Sequence, residues 1–286
     1  MGKLRGILLL SGVSFLLVFA ILGCGKPTPP PPEKGVTKSE NENPKITGGQ
    51  SLSSDDYIRL GLPAPDRDWS SSDMIKAGKV LSALAKKGFE NLPRYKSKGS
   101  GEVFTRMTSP QNLEIFKNRS LPVEARMPQA LDYMEASNKI AKLYLGGAIK
   151  KEIGSSEVVE LLGMQLRISV VMVQLVDEFL PTLKKDDPKH KVRMQGLEQM
   201  KRGLASVVMG GLKTLTEREM YGSGELLKLV GYMDETFPLI VPKLPPGSRS
   251  EMMIRLEELQ KDPAMKDLQT SLQELHKKVT AALKKG

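Results

Sequence analysis

Apolar residues recur at helical spacing through most of this chain and alternate, as a half-buried strand would, almost nowhere. Met74, Ala77, Leu81 and Leu84 form a stripe that stops near Gly88, and Ser70 to Asp73 supply capping residues just before it. Three helix starts share one form, a capping residue followed by proline: Ser109-Pro110, Asp187-Pro188 and Asp262-Pro263. Ser120 with Pro122 is a looser case, Ser248 with Glu251 reads as a capping box, and Ser155 or Ser156 opens another helix. Gly154, Pro181 and the cluster Pro238, Pro242, Pro245 and Pro246 read as stops. Val170 to Val173 alone would pass for a strand, but the apolar pattern around it runs helically from Val158 to Leu180. The pattern predicts helices near 70–88, 110–118, 122–152, 156–180, 188–219, 224–237, 248–261 and 263–284. The fold class expected is all-α: a single multi-helix, bundle-like domain over residues 69–286, behind a disordered N-terminal tether.

The start of the chain follows a different pattern. Lys3 and Arg5 precede an uncharged, mainly apolar run from Ile7 to Leu22, 16 residues that include Ser11, Gly12 and Ser14. A membrane-spanning helix needs roughly 20 apolar residues. A short basic head, an apolar middle and a small residue at a cleavage point describe a signal peptide better. The run ends in Ile21-Leu22-Gly23-Cys24, which resembles the lipobox of bacterial lipoproteins. That resemblance covers residues 1–24 only. It implies cleavage after Gly23, acyl chains on Cys24 and attachment to a membrane of the cell envelope. Gly25 follows the cysteine where many lipoproteins retained in the inner membrane carry aspartate, so the resemblance favours the outer membrane. Cys24 is the one cysteine in the chain, which rules out an internal disulfide.

Residues 24–68 read as a tether. Pro27 and Pro29 to Pro32 make a stiff stretch, and residues 33–56 are polar, too poor in bulky apolar groups to offset the entropy of ordering them. The division expected is therefore 1–23 signal peptide, 24–68 lipidated tether and 69–286 helical domain.

Glycine and methionine modify the picture of the body. Gly196, Gly203 and Gly210 recur every seven residues along one predicted helix, where each costs about 1 kcal/mol relative to alanine. Close approach of a neighbouring helix along that stripe is the expectation, and a ligand groove is the alternative. Among the 15 methionines, Met134, Met164, Met172, Met194, Met200 and Met209 fall within apolar helical runs and are expected to fill core.

Catalytic chemistry finds little support in the residues, and no catalytic residue, metal ligand or cofactor is assigned. His190 and His276 are the only histidines and lie in different predicted helices, without ligand-spaced partners. Phosphate-loop and nucleophile-elbow patterns are absent. Asp177 and Glu178 follow the apolar run Val170–Val176, but adjacent helical positions point about 100° apart and do not converge on one ligand.

Charge points to a class of partner. The chain carries a net +10, and residues 24–68 hold six basic against seven acidic side chains, so the tether contributes none of the excess. Residues 76–98 hold seven basic side chains against Glu90 alone, and residues 139–151 add Lys139, Lys142, Lys150 and Lys151 and contain no acidic residue. Lys76, Lys79, Lys86, Arg94, Lys96 and Lys98 are the candidate anion- or partner-binding set. The loop 89–108 sets Phe89, Tyr95 and Phe104 among basic residues, which suits either a partner surface or aromatics tucked onto the core. Nucleic acid is not the expected partner, given the export signal and only 5% aromatic residues. The function expected is a membrane-anchored envelope lipoprotein, a non-catalytic binding or scaffolding module for an envelope protein or anionic polymer. A carrier of a lipid or apolar ligand between long helices is the runner-up, and a cell-wall hydrolase built on scattered carboxylates ranks below both.

Overall fold

The computed structural model describes residues 52–285; the segment expected to be a signal peptide, with Gly23 and Cys24, and the part of the expected tether up to residue 51 lie outside the described residues. Those residues fold as an all-α, bundle-like body with no strand among them. At its centre is an antiparallel hairpin of the two long helices α5 (Val123–Ile149) and α6 (Ser155–Phe179). The helix α2 (Ser71–Lys87) packs on α5, and α8 (Ser223–Ile240) packs on α6. Outside α8 lies α10 (Gln269–Leu283), while α7 (His190–Thr214) and α9 (Pro246–Lys261) complete the bundle. Among the described residues α6 alone is long and apolar enough to span a membrane, and most of its apolar stretch is buried inside the body. Its position between α5 and α8, with α7 against it as well, explains why most of its faces are apolar.

The expected starts and stops hold where side chains cap directly. Ser70 accepts from the Asp73 amide and Asp73 returns to the Ser70 amide, a complete capping box at the head of α2. The Ser-Pro and Asp-Pro pairs work one step earlier than expected. Ser109-Pro110 and Asp262-Pro263 open 3-10 turns at Pro110–Leu113 and Pro263–Leu268, which then feed α4 (Glu114–Lys117) and α10. At Asp187 the carboxylate caps the Lys189 amide at 2.8 Å, and α7 begins at His190.

Three expectations need correction. Pro238 does not stop α8: it lies inside the helix, which continues to Ile240. The Ser248–Glu251 pair is not a cap, because α9 has already begun at Pro246. The largest difference concerns residues 52–68, read from sequence as tether. They contain α1 (Ser54–Arg59), opened by a capping box between Ser53 and Asp56, and they bury Tyr57 and Leu62 in the core. The Tyr57 hydroxyl donates to the Asn91 carbonyl at 2.9 Å, and the Trp69 indole donates to the Ala64 carbonyl at 2.9 Å. The folded body therefore starts no later than Leu52 rather than at Trp69.

The loop 89–108 also holds more structure than its composition suggested. It contains a 3-10 turn at Phe89–Asn91 and α3 (Gly101–Met107). Phe104 is fully buried, meets Tyr144 edge-on at 5.5 Å and Tyr95 at 5.8 Å, and Phe89 packs against α5 at Gly146 and Gly147. Its aromatics thus belong to the core. Of the six methionines expected there, Met134, Met164, Met172 and Met200 are fully buried, and Met194 and Met209 pack against the core from its edge.

Candidate functional site

Two features of the surface and interior carry binding chemistry. The first is the exposed face of α2. Met74, Ala77, Leu81 and Leu84 turn inward, which leaves Lys76, Lys79 and Lys86 on the opposite side, all exposed. None of the three makes an ion pair among the described residues. Most arginines of the body are, by contrast, committed: Arg67 to Asp73, Arg106 to Asp68, Arg126 and Arg119 to Glu178, Arg167 to Glu235, Arg218 to Asp267. An unpaired row of ammonium groups over roughly 15 Å of helix is a surface that attracts anions.

The rest of the expected basic set divides from it. Arg94 is half-buried and donates to the Glu152 carbonyl at 2.5 Å, tying the loop to the α5–α6 turn. Lys96 sits in the left-handed region at φ 56° with its ammonium 5.1 Å above the Tyr95 ring. It also lines an open cleft of about 820 Å³ with Asp66, Asp68, Glu102 and Arg106, where the signs of charge are mixed. Lys98 is exposed on the adjoining turn. Of the six expected residues, Lys76, Lys79 and Lys86 alone share one helix face, which the exposed Lys87 also borders.

The second feature is a cavity of about 660 Å³ between α5, α6, the end of α7 and the segment that follows it. Its volume lies within the range of small-molecule sites. Aliphatic side chains make most of its wall, with Leu145 and Ile149 from α5 and Val158 and Leu162 from α6. Gln165 lines it too, 5% exposed, and its side-chain amide makes no hydrogen bond among the described residues. The Tyr221 hydroxyl is in the same position, and burial raises its pKa. Burial also raises the Glu217 carboxyl, against the opposing pull of Lys213. Neither the Gln165 amide nor the Tyr221 hydroxyl is among the fully buried polar atoms left without a partner, so both groups open onto the cavity, where water or a ligand can bond them.

Gly210 lines this cavity, and a Cβ built there meets nothing within 4 Å. The expected close approach along the Gly196, Gly203 and Gly210 stripe therefore fails at Gly210. Gly196 and Gly203 are buried in the core face of α7. The tight helix contacts fall at other glycines: a Cβ at Gly163 would lie 2.4 Å from the Tyr232 ring, and one at Gly147 would lie 2.6 Å from Ile153.

The carboxylates weighed as an acid–base pair diverge. Asp177 pairs with Lys243 at 2.8 Å, whereas Glu178 turns to Arg126 and to Arg119. Arg126 is 4% exposed and also donates to the Phe116 and Leu121 carbonyls, each at 2.9 Å, so Glu178 neutralises a buried guanidinium. A further polar cluster, unmarked in the sequence, clamps α6 to α8. Glu160 accepts from the Tyr232 hydroxyl at 2.6 Å and from Lys228, which also donates to the Tyr95 hydroxyl at 3.1 Å. Burial and the Glu160 carboxylate push the Tyr232 hydroxyl up to about 12. Every member is satisfied within the protein, as in a structural clamp. Among the described residues no three His, Cys, Asp or Glu side chains gather as a metal site requires.

Comparison with protein-family models, with curated proteins and with solved structures finds no match for this chain.

Proposed function

We propose that this protein is a lipid-anchored component of the bacterial cell envelope whose helical body is a non-catalytic binding module for an anionic envelope component. Cys24, acylated after cleavage at Gly23, supplies the anchor, and the outer membrane is the favoured address. The observation that carries the binding reading is the α2 stripe, in which Lys76, Lys79 and Lys86 are exposed and unpaired on a body whose arginines are mostly neutralised. Each such ammonium near an anionic surface contributes about 1 kcal/mol, and the contributions sum when the surface is extended. Tethering keeps the body near its partner, so modest affinity is enough.

The test is retention on an isolated envelope fraction of the full-length chain carrying Cys24→Ser, which lacks the acyl anchor and so reports the body alone. Reversing Lys76, Lys79 and Lys86 to glutamate is expected to abolish retention. Reversing three exposed lysines elsewhere, Lys184, Lys185 and Lys191, is expected to leave it intact. Equal losses in both variants would reduce the effect to net charge and sink the α2 site.

A second reading, a carrier of a lipid or other apolar ligand, is favoured by one observation, the cavity with aliphatic walls along α5 and α6.

A further inference from the structure

We infer that the cavity between α5 and α6 is a binding site for a single-chain amphiphile, an acyl chain bearing a carboxylate or phosphate head, with Lys142, Asn138 and Gln165 receiving the head. This inference rests on the apolar-ligand reading above and is independent of the α2 surface.

The shape of the site selects a chain. From Asn138 to Ile149 the lining residues of α5 follow one stripe about 16 Å long at 1.5 Å per residue. Because α6 returns antiparallel through a short turn, Val158 comes to the level of Ile149, Leu162 to that of Leu145, and Gln165 to that of Lys142. The turn-side end is thus walled by Leu145, Ile149, Val158 and Leu162, and the far end by three polar side chains. The α5 and α6 walls are aliphatic at the turn-side end, where the segment 213–219 forms the facing wall, and polar at the far end. This matches an extended apolar chain laid along α5 and α6 with a compact head. Covering those walls with methylenes stabilises a complex by about 0.8 kcal/mol for each one buried.

The polar end selects the head. Lys142 offers an ammonium, and Asn138 and Gln165 offer amide N–H groups. Lys142 makes no ion pair among the described residues, and neither amide side chain makes a hydrogen bond among them. Donors outnumber acceptors, as recognition of a carboxylate or phosphate requires. The acids of the cavity lie at the opposite end. Ser156, at the start of α6, donates to Glu225 at 3.1 Å, which brings the segment carrying Glu217 and Glu219 to the turn-side end. Lys213 faces Glu217 there, and Arg218 is engaged by Asp267, so that end gains no net positive charge. The potential along the cleft therefore directs an anionic head toward Lys142.

Equilibrium binding to the full-length chain carrying Cys24→Ser, which has no acyl group of its own, tests this. The probes are radiolabelled palmitate, palmitoyl lysophosphatidate and methyl palmitate, each below its micellar concentration. Saturable one-to-one binding of palmitate or of the lysophosphatidate is expected, and the tighter of the two identifies the head. Gly210→Trp should weaken binding by about tenfold or more by filling the cleft, with the thermal unfolding transition retained. Gly210→Leu repeats the measurement with a smaller side chain. Lys142→Glu should weaken both anionic probes by about tenfold and leave methyl palmitate nearly unchanged. If methyl palmitate binds as well as palmitate and Lys142→Glu affects neither, the anionic head is wrong while the carrier reading stands. If no probe binds, or if binding ignores both Gly210 variants, the site itself is wrong.

Discussion

Gly210 and Gly163 show how one residue type answers to two different surroundings. Both sit inside helices, but a Cβ at Gly210 enters open space whereas one at Gly163 meets the Tyr232 ring. Gly210→Ala is therefore expected to raise stability by about 1 kcal/mol through helix propensity alone. Gly163→Ala should lower it by about 1–3 kcal/mol through overpacking, both read from the urea midpoint. A destabilising Gly210→Ala would mean that the cavity wall is closed. The seven-residue spacing of Gly196, Gly203 and Gly210 was legible in the sequence, but spacing cannot distinguish a glycine that admits a neighbour from one that leaves a void. At Arg126 the sequence offered no warning at all, since an arginine between Ala125 and Met127 looks like any exposed helical residue. Its burial makes Glu178 its counter-charge. Glu178→Ala should cost about 3 kcal/mol because it strands a buried guanidinium, a loss readable as a fall in the unfolding midpoint. An unchanged midpoint would show that water already solvates Arg126.

At the scale of elements, α5 and α6 were readable to within a few residues, because their apolar stripes are long and their ends carry glycine, proline or serine. Short elements were not. In α1 and α3 a few apolar side chains lie among serines, glycines and charges, and what orders them is burial against distant parts of the chain, such as Tyr57 on Asn91 and Phe104 on Tyr144. The capping box Ser53–Asp56 was the local signal available, and its only apolar followers were Tyr57, Ile58, Leu60 and Leu62. The head of α2 carries a pH dependence. Asp73 accepts from Arg67 at 2.7 and 2.8 Å and from the Ser70 amide and hydroxyl, and these bonds, Arg67 first, hold its carboxyl far below the ordinary carboxylate range. A folded-state pKa below the unfolded one adds stability above the unfolded value and loses it as pH falls toward the folded one. Stability should thus decline as pH drops below about 4, and Asp73→Asn should be less stable at neutral pH with a shallower acid decline. An acid decline identical in wild type and Asp73→Asn would contradict the assignment.

For the whole molecule, the lysine stripe could be read from sequence because it lies on one amphipathic helix, where spacing alone separates inner from outer faces. The cavity could not. It forms where α5, α6, the end of α7 and the following segment meet, and no periodicity in any one of them records the space between. Gln165, a polar residue amid the apolar positions of α6, was the one local sign of it. The two sites differ in physics and so in their response to salt. An exposed ammonium stripe is screened over a Debye length of about 10 Å at 0.1 M salt, whereas a chain held against aliphatic walls is not. The most direct measurement is therefore the retention of the full-length Cys24→Ser chain on an isolated envelope fraction, compared at 50 mM and 500 mM salt in the same preparation, with concentrations set on the basis of that screening length. The α2 surface predicts strong retention at the lower salt, little at the higher, and none at either for the variant with Lys76, Lys79 and Lys86 reversed to glutamate. Retention that ignores both salt and the reversal, or no retention at all, would contradict it.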